Sequence, residues 1–419
     1  MKGFSRALLR GELVDMHVRD SMITAIVPSG TNELEKSDTF IDLGGMEIYP
    51  LMIDVHAHLR EPGQVYKEGL ESGLKAALLN GISRVAVMAN TSPVLDGPDM
   101  IRSIEEKARV LGASEINING AATVGLMGRT MAPIDKYPDC VRALSDDGNT
   151  IADEMMLRKV FWEAKRCGKT VMSHCENNPS SGYMERTGKT ESLKISSVTE
   201  EDEVCIIKRN IRVAGEVGSK LHICHVSSVQ GVERVVDAKS AGLPITCEVT
   251  PHHLFLSTDD IDYRDGFYKV NPPLRTEKTR KYLLHALIDG KIDMVASDHA
   301  PHAMNEKRCT VADAAYGFSG FDSFFLNIYT HLIMTGNISY DQYNMLTSFN
   351  PASLLSVPSE TIEVGSNASF MVIKKGDYIL NERDLLSKGK NNPFIGKKFA
   401  GRIEMVVKEG RIYRRRYRK

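Results

Sequence analysis

The feature that most constrains this chain is a rhythm. Between residues 51 and 302 eight short apolar, β-prone runs recur: LMIDVHAH, ISRVAVMANT, INING, CVRALSDD, KTVMSHCEN, SKLHICHVSS, LPITCEVTPHH and KIDMVASDHAPH. Helix-like stretches such as KEGLESGLKAALLNG, ADEMMLRKVFWEAKRCG and EEDEVCIIKRNIRVAGEVG separate most of them. Strands alternating with helices pair in parallel through crossovers, and eight such units close into a (β/α)₈ barrel. Nearly every run starts apolar and ends in His, Asp, Asn or Thr. In such barrels the active site gathers at the C-terminal ends of the strands. An open doubly wound sheet predicts a glycine-rich phosphate loop after its first strand, and none is present.

The two ends of the chain read differently. VDMHVRDSMITAIVPSG and FIDLGGMEIYP are short strands with turns at Arg19-Asp20-Ser21 and Gly44-Gly45. SNASFMVIKKG and RIEMVVKEGRIYRR, turning at Glu409-Gly410, have the same character. The expectation is a discontinuous β-sandwich domain built from 1–50 and 355–419, flanking a catalytic barrel over 51–354. The basic tail RIYRRRYRK reads as a last strand running into a solvated end.

With 419 residues, 42% of them apolar, the chain has enough material for a barrel and an accessory domain. A formal net charge of −1 provides no overall field for nucleic acid or an anionic membrane. Seven cysteines without a CxxC pair indicate neither a disulfide framework nor a cysteine-rich zinc site. The N-terminus lacks a signal-peptide core, and no apolar run reaches the ~18 residues of a membrane span, so a cytoplasmic setting is expected.

Chemistry concentrates in DVHAHLREPG. On a strand, residues i and i+2 face one side, so His56 and His58 present two imidazoles to the barrel mouth. Imidazole pairs suit a borderline cation such as Zn²⁺, though a lone His-x-His is more often structural. Other run ends tilt the reading toward metal. His174 closes TVMSH, His225 closes LHICH, Asp298 closes DMVASD, and Asp147 sits in SDDGN. Burying that many polar groups on one opening without a cation is costly. Six such ligands can hold one or two ions.

In order and spacing, DVHAHLREPG, NTSPVLD, SDDG, HCEN, HVSS, TPHHL, NPPLR, SDHAPH and NPA resemble the dihydroorotase family of the amidohydrolase superfamily, over nearly the whole chain. The resemblance implies that His56 and His58 bind a more buried zinc ion, and His174 and His225 a more exposed one. Asp298 would ligate the buried ion and carry the proton. Many superfamily members bridge two metals with a carbamylated lysine. The corresponding ALSDDG has no lysine, as in bacterial dihydroorotases that use an aspartate, and Asp147 is the expected ligand. Asp146 is left to cap the following turn.

The resemblance further implies that Arg60 and Asn90 grip the substrate carboxylate, with Asn271, His302 and the backbone at Gly317 completing the pocket. Arg60 has the planar donor fork suited to a carboxylate; its structural alternative is a rim ion pair. The implied reaction is the reversible, zinc-dependent closure of N-carbamoyl-L-aspartate to L-dihydroorotate and water, in pyrimidine synthesis. A homodimer, and association with an aspartate transcarbamoylase, are implied likewise.

Two rivals stand beside it: another cyclic-amide hydrolase such as an allantoinase or hydantoinase, and a silent homologue acting as a structural partner. The first typically has the bridging lysine and lacks the Arg60–Asn90 pair. The second has usually lost metal ligands. Segment 303–322 is a long irregular loop expected to cover the substrate. It departs from the family wording at Ala303 and at Ala315-Tyr316-Gly317, and Ala89 replaces a frequent proline before Asn90. His17, His222, His285 and His331 are assigned no site role, with His222 turned away from His225 by strand alternation. His252 and His253 are read as supporting or packing groups, Cys175 and Cys224 as wall packing, and Trp162 as part of an apolar helix face.

Overall fold

The computed structural model describes residues 2–30, 39–177, 182–263, 265–415 and 417. Eight parallel strands, Met52–Ala57, Ile82–Met88, Glu115–Gly120, Ala143–Leu144, Thr170–Ser173, Leu221–Ile223, Ile245–Val249 and Met294–Val295, pair in chain order. The ring closes where the His58 N–H donates to the His299 carbonyl at 2.7 Å, beside a parallel bridge between Ala57 and His299. All eight apolar runs therefore supply the barrel.

The inner wall is apolar below the rim. Val55, Met88, Met172 and Ala296 pack together with Leu355 of the helix Asn350–Leu355. Outer helices lay apolar stripes on the strands. Pro98–Leu111 buries Ile101, Ile104 and Ala108, and Glu154–Arg166 buries Leu157, Val160, Phe161 and Ala164. Trp162 lies one residue off that stripe and is 62% exposed, which corrects its assignment to the apolar face. Helix caps fix the loops that follow two strands. The Ser228 hydroxyl accepts from the Gly231 N–H, starting a helix shortly after its strand, and the Thr250 hydroxyl accepts from the His253 N–H, starting one directly after its strand.

The terminal strands form one eight-stranded sheet. Arg411–Arg414, Lys398–Lys408, Phe370–Ile379, Glu47–Pro50, Lys2–Leu9, Glu12–Arg19 and Met22–Pro28 lie in that order, and Thr39–Asp42 pairs with Lys2–Leu9. Phe4, Met16, Phe370 and Met405 share a core separate from the barrel's. Glu47–Pro50 runs from this sheet almost directly into the first barrel strand.

The basic tail does form a strand, Arg411–Arg414, and the described residues just past it, Arg415 and Tyr417, are held against the protein. Arg415 is buried, its guanidinium donating to the Asn80 side-chain oxygen and, at 3.0 Å, to the Asp384 carbonyl. The Tyr417 hydroxyl donates to the Ile403 carbonyl. Residues 416, 418 and 419 of that tail lie outside the described residues. Residues 303–322 hold one short helix, Met304–Lys307, and then irregular chain up to the helix Phe321–Ile328.

Candidate metal centre and substrate cleft

Strand ends deliver the polar groups to one point. Asp147 stands at the middle. Its Oδ1 lies 3.4 Å from His56 Nε2, 3.7 Å from His225 Nε2 and 3.8 Å from His174 Nδ1. Its Oδ2 lies 3.5 Å from His58 Nε2. Asp298 Oδ1 is 3.2 Å from His58 Nε2 and 3.6 Å from His56 Nε2. Asp146 faces elsewhere: its carboxylate accepts from the Ala122 and Thr123 N–H groups at 2.9 Å each, and from the Thr123 hydroxyl. Its side chain therefore ties down the loop after the third strand, while its backbone carbonyl closes the following turn by accepting from the Asn149 N–H at 2.8 Å.

Alternation explains only part of this placement. His225 and Asp298 have φ of 33° and 43°, and Arg60 has φ of 60°. These positive values break the strand's two-residue period just where the side chains turn inward. The same break overturns the parity argument that set His222 aside. His222 points into the barrel, its Nε2 3.0 Å from Glu248 Oε2 and its Nδ1 2.8 Å from the Thr246 hydroxyl.

Glu248 and Glu176 are the residues sequence reasoning missed. The His56 Nδ1–H donates to Glu248 Oε1 at 2.6 Å, and the His225 N–H reaches the same oxygen at 3.3 Å. The His174 Nε2–H donates to Glu176 Oε2 at 3.2 Å. The signal for Glu248 was available: it is a carboxylate inside an otherwise apolar barrel strand, ITCEV. Glu176, two residues past His174 on a loop, carried no such mark.

These outer contacts decide which nitrogen faces inward. With Nδ1–H of His56 on Glu248, Nδ1–H of His58 on Asn90 Oδ1 (2.8 Å), and Nε2–H of His174 on Glu176, three lone pairs point at the centre. His174 Nδ1 and His225 Nε2 stand 3.1 Å apart. His56 Nε2 and Asp147 Oδ1 are buried without a hydrogen-bond partner. Donor atoms of His56, His58 and Asp298, and of His56, Asp147 and His225, fall within 4.8 Å of one another. Nitrogen and oxygen lone pairs converging in a buried space fit a divalent cation of the Zn²⁺ type. Cys224 also lies within that reach of His56 and Glu248, on the outer side of His56.

Charge in the site is strongly coupled. Burial would raise the Asp298 carboxyl, but the surrounding imidazoles of His58, His56 and His225 outweigh it and hold it well below the usual range. Asp147 is held low in the same way, burial being overcome by His56 and its neighbours. His252, beside Asp298 Oδ2 at 4.0 Å, is pushed down to about 4 by burial and stays neutral. His253 links the Thr250 hydroxyl (2.8 Å) to the Pro272 carbonyl (3.0 Å), so it braces the chain carrying Asn271.

Above the donors is a cleft of about 180 Å³, lined among others by Arg60, Asn90, Asn271, Asp298, Tyr316 and Gly317. That is below the roughly 300–1,000 Å³ of drug-sized sites and suits a compact ring. Asn90 bridges His58 and Asp147, its Nδ2 3.3 Å from Asp147 Oδ2. Asn271 Nδ2 donates to Glu176 Oε2 at 3.0 Å. Gly317 has φ of 124°, and a Cβ there would come within 2.7 Å of the Ala300 carbonyl oxygen, so only glycine lets the lid backbone approach. His302 does not line the cleft; it stands behind Arg60, 3.1 Å from Nη2. A larger surface cleft of about 610 Å³, bordered by Lys75, Lys107 and Lys388, contains none of the donor groups.

Among the described residues no helix is long and apolar enough to cross a membrane. The amidohydrolase family model matches residues 48–413. Dihydroorotases of Staphylococcus epidermidis and Bacillus licheniformis are each 34% identical, covering 92% and 96% of this chain and 92% and 95% of their own lengths. Among solved structures, an L-hydantoinase (dihydropyrimidinase) from Arthrobacter aurescens superimposes with a TM-score of 0.86 at 23% identity, over 98% of this chain and 95% of that one. A dihydropyrimidinase from Brevibacillus agri gives 0.81 at 21%, over 99% and 95%. At those identities the structural likeness concerns the fold, whereas the sequence likeness spans nearly the whole chain. The chain belongs to the amidohydrolase family, among the dihydroorotases.

Proposed function

We propose that this protein interconverts L-dihydroorotate and N-carbamoyl-L-aspartate, with His56, His58, Asp147, His174, His225 and Asp298 as ligands of zinc. The observation that carries the substrate assignment is Arg60. Burial pushes its guanidinium down to about 10 even though Asp298 and Asp147 draw it upward. A buried cation facing a small cleft is best served by an anionic group on the ligand. Dihydroorotate brings one carboxylate on a six-membered ring; hydantoin and allantoin bring none. The absence of lysine at Asp147 points the same way.

A divalent cation held by these donors would supply Lewis acidity, lowering the pKa of water and polarising the ring carbonyl. Asp298, ionised and within reach of the cleft, accepts the proton of the attacking water. The water oxygen bonds the ring amide carbon, the carbon–nitrogen bond breaks, and the proton on Asp298 passes to the departing nitrogen. Ring closure is the reverse. Arg60 orients the substrate through its carboxylate, and Tyr316 and Gly317 shield the ring from water. The dimer and an association with aspartate transcarbamoylase rest on the family resemblance, and the cytoplasmic setting on the sequence pattern.

The deciding experiment compares ring opening of dihydroorotate, hydantoin and allantoin by the zinc-loaded protein. Turnover of dihydroorotate alone is expected. Activity on hydantoin with none on dihydroorotate would overturn the substrate assignment.

A further inference from the structure

His302 is held from three sides by groups far apart in sequence. Its Nε2 lies 2.7 Å from the Tyr316 carbonyl oxygen, and its Nδ1 lies 3.3 Å from Lys67 Nζ. Its backbone N–H donates to Asn391 Oδ1 at 3.0 Å. Lys67 is itself buried and paired with Glu306 Oε1 at 3.0 Å, while Glu306 Oε2 stands 3.5 Å from His302 Nδ1.

Each ring nitrogen faces one donor and one acceptor, and the nearer partner of each selects the same pattern: the Tyr316 carbonyl at 2.7 Å over Arg60 Nη2 at 3.1 Å for Nε2, and Lys67 at 3.3 Å over Glu306 at 3.5 Å for Nδ1. The Tyr316 carbonyl can only accept, so Nε2 must carry the proton. An ammonium can only donate, so Nδ1 must offer its lone pair. His302 is then neutral with its proton on Nε2. Burial, with Arg60 and Lys67 adding to it, pushes this ring down to about 2; Lys307 acts in the same direction and the Tyr316 carbonyl opposes.

The consequence falls on Arg60. Its Nε donates to the Pro301 carbonyl at 3.2 Å, and its Nη2 lies 3.1 Å from His302 Nε2. If Nε2 bore a lone pair it would capture that Nη2–H. Because Nε2 is protonated and engaged with Tyr316, it offers that Nη2–H no acceptor, and Arg60 is free to turn it to a ligand in the cleft. Without Lys67, Glu306 becomes the nearest charged group to Nδ1 and draws the proton there. The tautomer then flips, Nε2 accepts from Arg60, and the lone pair repels the Tyr316 carbonyl.

Building on the dihydroorotase reading, we propose that Lys67 is a positioning residue that sets the tautomer of His302, and through it keeps Arg60 free for the substrate carboxylate and the lid fastened at Tyr316. The test uses full-length zinc-loaded protein labelled with ¹⁵N-histidine, the His302 ring being assigned by difference from His302→Gln. The wild-type ring is expected neutral and Nε2-protonated between about pH 6 and 8, where an unperturbed histidine titrates. In Lys67→Met the proton moves to Nδ1, and the KM for dihydroorotate rises roughly ten- to a hundredfold, the worth of one charge-assisted hydrogen bond. The kcat changes less than threefold and the zinc content is unchanged. Lys67→Arg, which still donates to Nδ1, restores both tautomer and KM. A wild-type ring protonated on Nδ1, or a Lys67→Met variant with the wild-type tautomer and KM, overturns the proposal. If the wild-type protein does not turn over dihydroorotate, the functional reading fails separately, and the ring spectrum still decides the tautomer.

Discussion

The proposed metal donors and the proposed anion-binding side of the cleft are neighbours built on opposite plans. Each donor sits at or just past the end of a barrel strand, and its position follows from the strand beneath it. The anion side is assembled from connecting segments: Arg60 and Lys67 after the first strand, His302 and Tyr316 in the lid, and Asn391 from the stretch between two strands of the terminal sheet. Asn391 also donates to the Gly317 carbonyl and accepts from the Ser319 hydroxyl, both at 3.0 Å. The strand-end group is positioned by the barrel lattice. The loop group is positioned only by hydrogen bonds between distant parts of the chain, so each bond there carries more of the geometry.

Substitutions should separate the two plans. Asp298→Asn removes the proposed proton carrier, and kcat is expected to fall roughly 10²–10⁴-fold, the usual contribution of general acid–base catalysis. Elemental analysis should find most of the metal retained; near-normal turnover would show that another group moves the proton. Arg60→Met acts on the other side. Removing a buried charged contact costs about 2–5 kcal/mol, on the order of 10²-fold or more in kcat/KM, expressed mainly in KM. If that variant also lost its metal, the two regions would not be independent.

Glu248→Gln tests the support beneath the donors. It weakens the hold on His56 Nδ1, His222 and the His225 N–H, and metal affinity should drop roughly 10–100-fold in a chelator competition. Unchanged affinity would mean that the barrel lattice alone orients His56. The smallest effect on the centre is expected from Asp146→Asn, which disturbs the loop at Ala122 and Thr123 and costs about 1–3 kcal/mol in denaturant unfolding. Its metal content should stay near wild type, whereas the same change at Asp147 should strip the centre. Equal metal loss from both variants would erase the distinction between these adjacent aspartates.

Much of this was visible in the sequence because barrel strands announce themselves locally. An apolar run ending in a polar residue marks both the strand and the rim, so His56, His58, Asp147, His174, His225 and Asp298 could be picked out together. Where the period-two rule was pressed past a strand's end it failed. His222 belongs to a three-residue strand, and the backbone reverses its sense at His225. Trp162 misled because a hydrophobic residue adjacent to a buried helical stripe reads as part of it.

Sequence alone determined the barrel, the strand ends that carry the proposed donors, and a cationic residue, Arg60, beside them. Those are periodic or local properties, written residue by residue along each strand. Tertiary structure decided that Asp147 and not Asp146 turns to the centre, that Glu248 and Glu176 orient the imidazoles, and that His302 lies behind Arg60 under the control of Lys67. Each depends on which buried donor meets which acceptor across the fold, and a one-dimensional pattern cannot specify such a meeting.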